Sequence, residues 1–243
     1  MTGTPLARLR KKALWPTFAS CLIEGKTVRD SAEICGVHPN TAFRWRHRFL
    51  RLPRELKPER LEGIIEADET FFLESKKGQR KGLQRPARKR GGKASKRGRS
   101  KELVCVLVAR DRSGSTTDAV SATFSQQILK ENLKNRVLPD SVLCSDSLPP
   151  YAAFAREEGM AHKPVNLSAG IRVREGVFHI QNVNAYHQRL KTWIQRFKGV
   201  ATKYLPNYLG WHRFLDVRGK KISSATIIRA AIGLEHYQPL TVT

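Results

Sequence analysis

Two aspartates, one asparagine and one lysine are the residues of this sequence best suited to chemistry. Asp68 stands within an apolar segment, Asp146 ends another, and Asn184 and Lys191 share a predicted helix. Hard divalent cations prefer oxygen ligands and neutralise the phosphates of nucleic acids. If the fold brings these residues into one cleft, they predict a divalent-metal site for cutting or joining nucleic acid.

The chemistry assigns a different task to each oxygen ligand. Cleavage and strand transfer need an attacking oxygen activated and a leaving oxygen stabilised, which two divalent ions about 3.5–4 Å apart achieve together. We expect Asp68 to bridge the two ions, Asp146 to bind one, and the Asn184 amide oxygen to bind the other. An amide is a weaker ligand than a carboxylate, so tight metal binding should depend on the substrate phosphate.

Lys191 lies seven residues after Asn184, close to two helical turns, so both side chains share one helix face. There Lys191 can hold a phosphate near the metals, although spacing alone favours an ordinary surface lysine. His179 and His187 have two interpretations, beside the phosphates or structural. The packing side of this helix is predicted to contain Tyr186, Leu190, Trp193, Ile194 and Phe197.

The charge of the chain points to a polyanionic partner. Its 243 residues include 45 Lys and Arg against 21 Asp and Glu, a formal charge of +24. Nucleic acid fits that excess best, and an anionic membrane surface is the second choice. No apolar run approaches the ~20 residues of a membrane span, and MTGTPLARLRKKALW lacks a secretory apolar core. We therefore expect a cytoplasmic protein that does not enter membranes.

The four cysteines, which are widely separated and form no C-x-x-C pair, are expected to be reduced and mostly buried, and no zinc site is predicted.

Residues 27–51 have the pattern of a helix-turn-helix with Gly36 at the turn. Asn40 or Thr41 is predicted to cap the second helix, whose apolar positions are Ala42, Trp45 and Phe49. The alternative is a helical hairpin with solvated basic residues. The residues predicted to face a DNA groove are Asn40, Thr41, Arg44, His47 and Arg48.

Residues 63–75 are predicted to form a strand in which Glu66, Asp68 and Thr70 share one face and Ile65, Ala67 and Phe71 the other. The alternative is an edge strand with its acidic face in water.

Residues 76–101 carry 13 Lys or Arg and no Asp or Glu. This basic arm should be mobile until phosphates neutralise it, and it could hold a DNA backbone beside Asp68. A solubilising or nuclear-import role is the alternative. Its predicted DNA contacts are Lys89, Arg90, Lys96 and Arg97.

Later segments complete a recognisable order of elements. Strands are predicted at LVCVLVARDRSG, TTDAVSATFS, SVLCSD and HKPVNL, and helices at 125–137, PPYAAFAREEG and 182–215, the last with a break near Gly199 and Pro206. Three strands, helix, strand, helix, strand, helix is the order of a ribonuclease-H-like α/β fold, a mixed sheet with flanking helices. In that fold the elements carrying Asp68, Asp146 and Asn184 meet at one sheet edge.

Three ordered motifs, ADETFF, CSDSLPPY and the stretch from His179 to Phe214, resemble bacterial insertion-sequence transposases of the fifteen-ninety-five group. The resemblance covers about residues 62–216, and it implies a ribonuclease-H-like catalytic domain with an Asp, Asp, Asn or Glu, Lys signature. It places Asp68 and Asp146 as the aspartates, Asn184 as third ligand and Lys191 as the lysine. His179 matches the histidine that opens the last motif.

The resemblance implies metal-dependent DNA cleavage and strand transfer at terminal inverted repeats, with Mg²⁺ as the cofactor or Mn²⁺ in its place. DNA is the expected partner, and joining two element ends implies a homo-oligomer. Relatives often begin with a cysteine-rich zinc ribbon, which is absent before Cys21. The alternatives are a catalytically idle DNA-binding regulator, which the neutral Asn184 keeps open, and a ribonuclease for hybrids, against which the helix-turn-helix argues.

The predicted organisation has four parts: a helix-turn-helix region at 1–52, a linker at 53–61, the catalytic domain at 62–216 and a C-terminal basic tail or helix at 217–243.

Overall fold

A five-stranded mixed sheet lies at the centre of the region that follows the helix-turn-helix. The computed structural model describes residues 2–79, 81–83, 85, 92–96, 98–166 and 169–237. The strands are β1 Ile64–Leu73, β2 Leu103–Asp111, β3 Thr116–Ser121, β4 Val142–Ser145 and β5 Ala161–Pro164. The strand order is β3-β2-β1-β4-β5. β2 pairs antiparallel with both β1 and β3, whereas β4 runs parallel to β1 and to β5. This is the predicted ribonuclease-H-like topology.

The alternation predicted for β1 is confirmed. Ile65 and Ala67 are buried in one core. Glu66 and Asp68 lie on the opposite face, toward the helix Gln181–Gln195. The edge-strand alternative is wrong, because β1 is the central strand and Glu66 has no solvent exposure. A strand in this position must bury its acidic face as well as its apolar face.

Helices cover both faces of the sheet. α4 (Gln126–Leu133) and α5 (Pro149–Glu157) pack on the side of Ile65 and Ala67. α6 (Gln181–Gln195) and α7 (Leu205–Arg218) cover the other face. The predicted break between them falls at Lys198 and Gly199, both of which have positive φ. Pro206 does not interrupt a helix but lies in the first turn of α7, where a missing N–H is tolerated.

The N-terminal region folds as the predicted helix-turn-helix with one supporting helix, α1 (Trp15–Ile23). Thr27 and Asp30 form a reciprocal capping box at the start of α2 (Val28–Ile34), and Gly36 turns the chain with φ of 58°. α3 (Pro39–Phe49) buries the three apolar positions that the sequence predicts.

The predicted cap of α3 is wrong. The helix begins at Pro39, two residues earlier than a cap at Asn40 would allow, and the fixed φ of proline suits the first helical position. His38 is consequently the N-cap, and its Nδ1 accepts a hydrogen bond from the Asn40 N–H at 3.2 Å.

The N-terminal helices and the sheet domain share one apolar core through α7. Arg46 of α3 is fully buried, donates to the Lys26 carbonyl at 2.6 Å, and lies 5.1 Å from the Trp211 ring. Trp211 in turn donates from Nε1 to the Leu22 carbonyl at 2.9 Å. A buried cation held by a carbonyl on one side and an aromatic ring on the other fixes the helix-turn-helix against the sheet domain.

His47 also lies between α3 and α7. The prediction that His47 faces a DNA groove is therefore wrong. Its ring stacks on Tyr204 with centroids 3.8 Å apart, and its Nδ1 lies 3.1 Å from Nδ2 of Asn207. Burial lowers the pKa of His47 to about 4, and the neighbouring Arg46 acts in the same direction. The ring is therefore a neutral packing group between α3 and α7.

Residues 53–61, predicted to be a linker, are held firmly against α7. Arg213 donates to the carbonyls of Arg54 and Leu56, and it forms a buried ion pair with Asp118. At the other end of the chain, α8 (Ser224–Ala231) packs on α1 and α3 and completes the helical region. The predicted C-terminal tail thus contributes a structural helix.

All four cysteines are buried and unpaired. None of the helices in the described ranges has the length and apolar character that a bilayer crossing demands.

Gly210 permits the close crossing of residues 53–61 over α7. A Cβ at this position would lie 2.3 Å from Arg54 Cα. Gly210→Ala should therefore lower the free energy of unfolding by about 1–3 kcal/mol through overpacking, although Ala ordinarily favours a helix interior over Gly. Urea unfolding measures the change. An unchanged or raised unfolding midpoint would contradict the packing described.

The buried histidines predict acid sensitivity. Burial also lowers the pKa of His212 to about 4. In the unfolded chain His47 and His212 bind protons near pH 6.5, but in the folded protein only near pH 4, so stability should fall as pH drops through this interval. Each histidine contributes a slope of at most about 1.4 kcal/mol per pH unit.

Unfolding free energies measured at intervals between pH 7.5 and 4 test this sensitivity. His47→Gln should remove the contribution of His47 to the pH dependence of the unfolding free energy. His47→Gln/His212→Gln should remove the contributions of both histidines. A slope that is unchanged in the double variant would show that other groups cause it.

Candidate active site

Asp68 and Asp146 meet because β1 and β4 run parallel in a defined register. Glu66 is paired with Cys144, so each aspartate lies two residues further along its own strand direction. Asp146 follows directly after β4, and its Oδ1 accepts the Leu148 N–H at 3.1 Å. The structure therefore brings the two predicted aspartates together at one sheet edge.

A third carboxylate, Glu69, completes this group. Single oxygens of Asp68, Glu69 and Asp146 all lie within 4.8 Å of one another, and this is the acidic group found in the described part of the chain. Glu69 accepts a hydrogen bond from the Tyr151 hydroxyl at 2.8 Å and pairs with Arg99 from the basic arm. Only 3% of the Glu69 side chain is exposed, against 48% for Arg99.

Sequence reasoning missed Glu69. Strict alternation on β1 assigns Glu69 to the face opposite Asp68, toward α5 and Tyr151, and away from the predicted site. β4 pairs only with the first residues of β1, so the outer part of β1 forms a rim beside Asp146. Two features of the sequence point to Glu69: it follows Asp68 directly, and the CSDSLPPY motif contains Tyr151, a possible hydrogen-bond donor.

The electrostatics of this group disfavour full ionisation. Burial raises the pKa of Glu69 to about 7; the Tyr151 hydrogen bond opposes this rise and the Asp68 charge adds to it. Burial also raises the pKa of Asp146; the Leu148 N–H opposes this shift and the Asp68 charge again adds to it. Partly buried carboxylates that repel one another constitute a site where an added cation is favourable.

α6 reaches Asp68 through His187. This buried ring places Nδ1 3.5 Å from Asp68 Oδ2. Asn184 and Lys191 lie three residues before and four residues after His187, so helical geometry puts all three on one face. Both Asn184 and Lys191 are exposed. The face of α6 that contacts Asp68 is therefore the one on which the sequence predicts the third ligand and the lysine.

His179 lies just before α6 and contacts a different carboxylate. Its Nδ1 is 3.3 Å from Oε1 of Glu66, and its Nε2 is 2.8 Å from Arg112. His179 thus belongs to a network around Glu66, which lies two residues before Asp68 on β1.

The exposed face of α3 carries Asn40, Arg44 and Arg48, with Thr41 half-buried beside them. These residues recur at helical spacing and are separate from the buried Ala42, Trp45 and Phe49. Arg48 also donates to the Ala7 carbonyl at 3.3 Å. The predicted surface is thus available to a partner, with the exception of His47.

The basic arm leaves β1 and returns to β2 beside the acidic group. Lys77 donates to the Gly199 carbonyl at 2.9 Å, and Arg85 donates to the Glu74 carbonyl at 3.3 Å. Lys96 is exposed. Lys89, Arg90 and Arg97, also predicted to contact DNA, lie outside the described residues.

Two families match the chain. Residues 60–214 match the family described as ISXO2-like transposase domain. Residues 7–61 match the family described as homeodomain-like domain. No curated protein shows a significant match.

The similar solved structures are remote. A chain of the simian T-cell lymphotropic virus intasome, in complex with PP2A regulatory subunit B56 gamma, is 13% identical with a TM-score of 0.38; the match covers 77% of this chain and 58% of that one. The pre-cleavage Mos1 transpososome is 11% identical, with a TM-score of 0.28 and coverage of 90% and 78%. The Mos1 strand transfer complex is 14% identical, with a TM-score of 0.30 and coverage of 91% and 78%. These distances support no inference about activity.

Proposed function

Because the chain belongs to the ISXO2-like transposase domain family, we propose that it cleaves DNA strands and transfers them at the terminal inverted repeats of an insertion sequence. The observation that carries the proposal is the convergence of Asp68, Glu69 and Asp146 at one sheet edge, beside the α6 face that bears Asn184 and Lys191. Family membership and the position of the acidic group support the same chemistry independently.

The donor set fits a divalent cation. Asp68, Glu69 and Asp146 offer hard oxygen atoms within 4.8 Å of one another, and a bound divalent cation would offset their mutual repulsion. We propose Mg²⁺, with Mn²⁺ as a substitute, held by Asp68, Asp146 and Asn184, with Glu69 as an additional carboxylate. When bound, the ion would activate the attacking oxygen and stabilise the leaving oxygen of a phosphodiester.

The remaining residues are proposed to orient these oxygens and the DNA. The Leu148 N–H holds the Asp146 carboxylate, and the Tyr151 hydroxyl holds Glu69. Lys191 is proposed to bind a DNA phosphate next to the acidic group, since it shares a helix face with His187, which contacts Asp68. Hydrogen-bonded carboxylates and a fixed cation reduce the reorganisation needed when the phosphate arrives.

DNA recognition is proposed to use the exposed face of α3 and the basic arm. Asn40, Thr41, Arg44 and Arg48 would read or follow a groove, and Lys96 with the other arm residues would neutralise the backbone near Asp68. Pairing two element ends would require a homo-oligomer, and the reaction would occur on cytoplasmic DNA.

A catalytically idle DNA-binding regulator is the second candidate. The observation that favours it is the neutral Asn184, which contributes less to metal binding than a carboxylate would. Sequence-specific binding to element ends, without metal-dependent cleavage by the purified protein, would establish this candidate.

Removing an acidic oxygen tests the catalytic proposal. Asp68→Asn and Asp146→Asn should each reduce Mn²⁺- and Mg²⁺-dependent cleavage of element-end DNA by on the order of a hundredfold or more. Metal-free binding to the same DNA should persist. Asp140→Asn is a matched control, because Asp140 is exposed just before β4, at the end of the strand opposite Asp146. Full activity in the Asp68 or Asp146 variant would refute the site.

The role of Lys191 predicts a loss of phosphate contact. Lys191→Ala should weaken DNA binding uniformly across sequences, reduce the salt dependence of binding by about one phosphate contact, and slow strand transfer. Lys191→Arg should retain part of each property. The control is Lys134→Ala, which removes an exposed lysine following α4, on the other face of the sheet. Equal effects of the two alanine substitutions would reduce Lys191 to a general surface charge.

A further inference from the structure

Glu66 is a fully buried carboxylate that neither its sequence neighbours nor the proposed metal chemistry explains. Oε2 accepts the Asn182 N–H at 2.8 Å and the Val183 N–H at 3.0 Å. Oε1 accepts the Asn182 side-chain amide at 3.0 Å. A carboxylate on the central strand is thus bonded directly to the first turn of α6.

These contacts replace a missing helix cap. The N-cap of α6 is Ile180, which has no side-chain oxygen and makes no capping hydrogen bond. The N–H groups of the second and third helical residues are those that an N-cap side chain ordinarily satisfies, and here they belong to Asn182 and Val183. Glu66 therefore caps α6 from another element, where its negative charge also complements the positive end of the helix dipole.

Arg112 balances the buried charge, and the His179 ring lies beside it. Arg112, in the turn after β2, lies 3.1 Å from Glu66 Oε1, and the His179 ring lies 3.3 Å from the same oxygen. Arg112 also donates to the Val177 carbonyl at 2.8 Å, on the approach to α6. Because a buried ionised carboxylate is costly without such partners, this network holds Glu66 in a single arrangement.

The position of Glu66 links this cap to the acidic group. Glu66 and Asp68 lie two residues apart on the same face of β1. Glu66 holds the first turn of α6, and His187 of the same helix contacts Asp68. Asn184 lies between these two attachments, directly after Val183. The start of α6 and its rotation about its axis are therefore fixed relative to Asp68.

We propose that Glu66 is a positioning residue that sets the place of the Asn184 amide oxygen relative to Asp68. The inference rests on the proposed function, in which Asn184 is a metal ligand. Glu66 itself binds the helix and not the metal. Outer partners that orient a ligand typically change metal affinity or activity by about ten- to a hundredfold when they are removed.

The direct test is Glu66→Gln in the full chain, compared with Asp118→Asn. Both variants remove a buried carboxylate paired with an arginine, but Asp118 pairs with Arg213 of α7, whereas Glu66 binds the first turn of α6. In Glu66→Gln the Mn²⁺ concentration for half-maximal cleavage should rise about ten- to a hundredfold. In Asp118→Asn the thermal midpoint should fall with an unchanged Mn²⁺ requirement. Equal Mn²⁺ requirements in the two variants would overturn the proposal.

Two measurements keep the test informative if Glu66→Gln is unstable. Glu66→Gln/Arg112→Gln removes both charges of this ion pair, and it should show the same Mn²⁺ shift. Amide hydrogen exchange at Asn182 and Val183, measured without metal, should accelerate in either variant and stay unchanged in Asp118→Asn. Unaltered exchange at these two amides would show that the charge of Glu66 does not hold the helix start, and it would overturn the proposal in this form.

A double-mutant cycle with Asn184→Ala separates this inference from the proposed function. If Glu66 acts through Asn184, Glu66→Gln should add no further Mn²⁺ shift in the Asn184→Ala background. Additive shifts would overturn the positioning role while leaving Asn184 as a ligand. An unaltered Mn²⁺ requirement in Asn184→Ala alone would instead remove Asn184 from the proposed site, and the inference with it.

Discussion

Three carboxylates confined to one sheet edge repel one another, and the rest of the structure has to keep them together. At the observed spacing of within 4.8 Å, two unit charges near a protein surface repel by about 3 kcal/mol or more. The parallel pairing of β1 with β4 sets the separation of Asp68 and Asp146, and α5 supplies the hydroxyl that holds Glu69. Within the described ranges, the half-exposed Arg99 is the residue of the basic arm that forms an ion pair with this group. A rigid sheet therefore maintains a charge arrangement that a cation would stabilise.

The same demand for rigidity extends to the helical region. Arg46, Trp211 and the stacked His47 and Tyr204 bind α3 to α7, so the exposed face of α3 keeps one orientation relative to the acidic edge. Under the proposed function, DNA held on that face would reach the acidic group at a defined angle, without a flexible tether between them. The buried guanidinium of Arg46 has no counter-carboxylate among its described contacts; carbonyl, hydroxyl and aromatic groups surround it instead. Such a site favours this docking, because a different buried arrangement would leave those polar groups without partners.

The sequence predicts the order of elements well because apolar periodicity is a local property. The alternation around Asp68 and the apolar stripe of α6 both follow from burial on one face. Contacts between distant segments are a different matter. By helical spacing His47 belongs to the exposed side of α3, but Tyr204, from a distant segment, covers it. Alternation places Glu69 away from Asp68, and only the short pairing of β4 with the start of β1 leaves Glu69 at the sheet edge beside Asp146. The cap of α6 is equally invisible, since Ile180 offers no capping atom and the acceptor comes from β1.

Glu69 also changes the meaning of Asn184 within the proposed function. An asparagine in place of a carboxylate lowers the negative charge of a metal site, which is the argument for an idle protein. In this chain the acidic edge nevertheless carries three carboxylates, because Glu69 joins Asp68 and Asp146. A divalent cation would therefore meet a third carboxylate at this edge, although Arg99 offsets part of its charge. Asn184 would then serve mainly to place one neutral oxygen ligand at a defined position around the cation. The accuracy of that position depends on how firmly α6 is held.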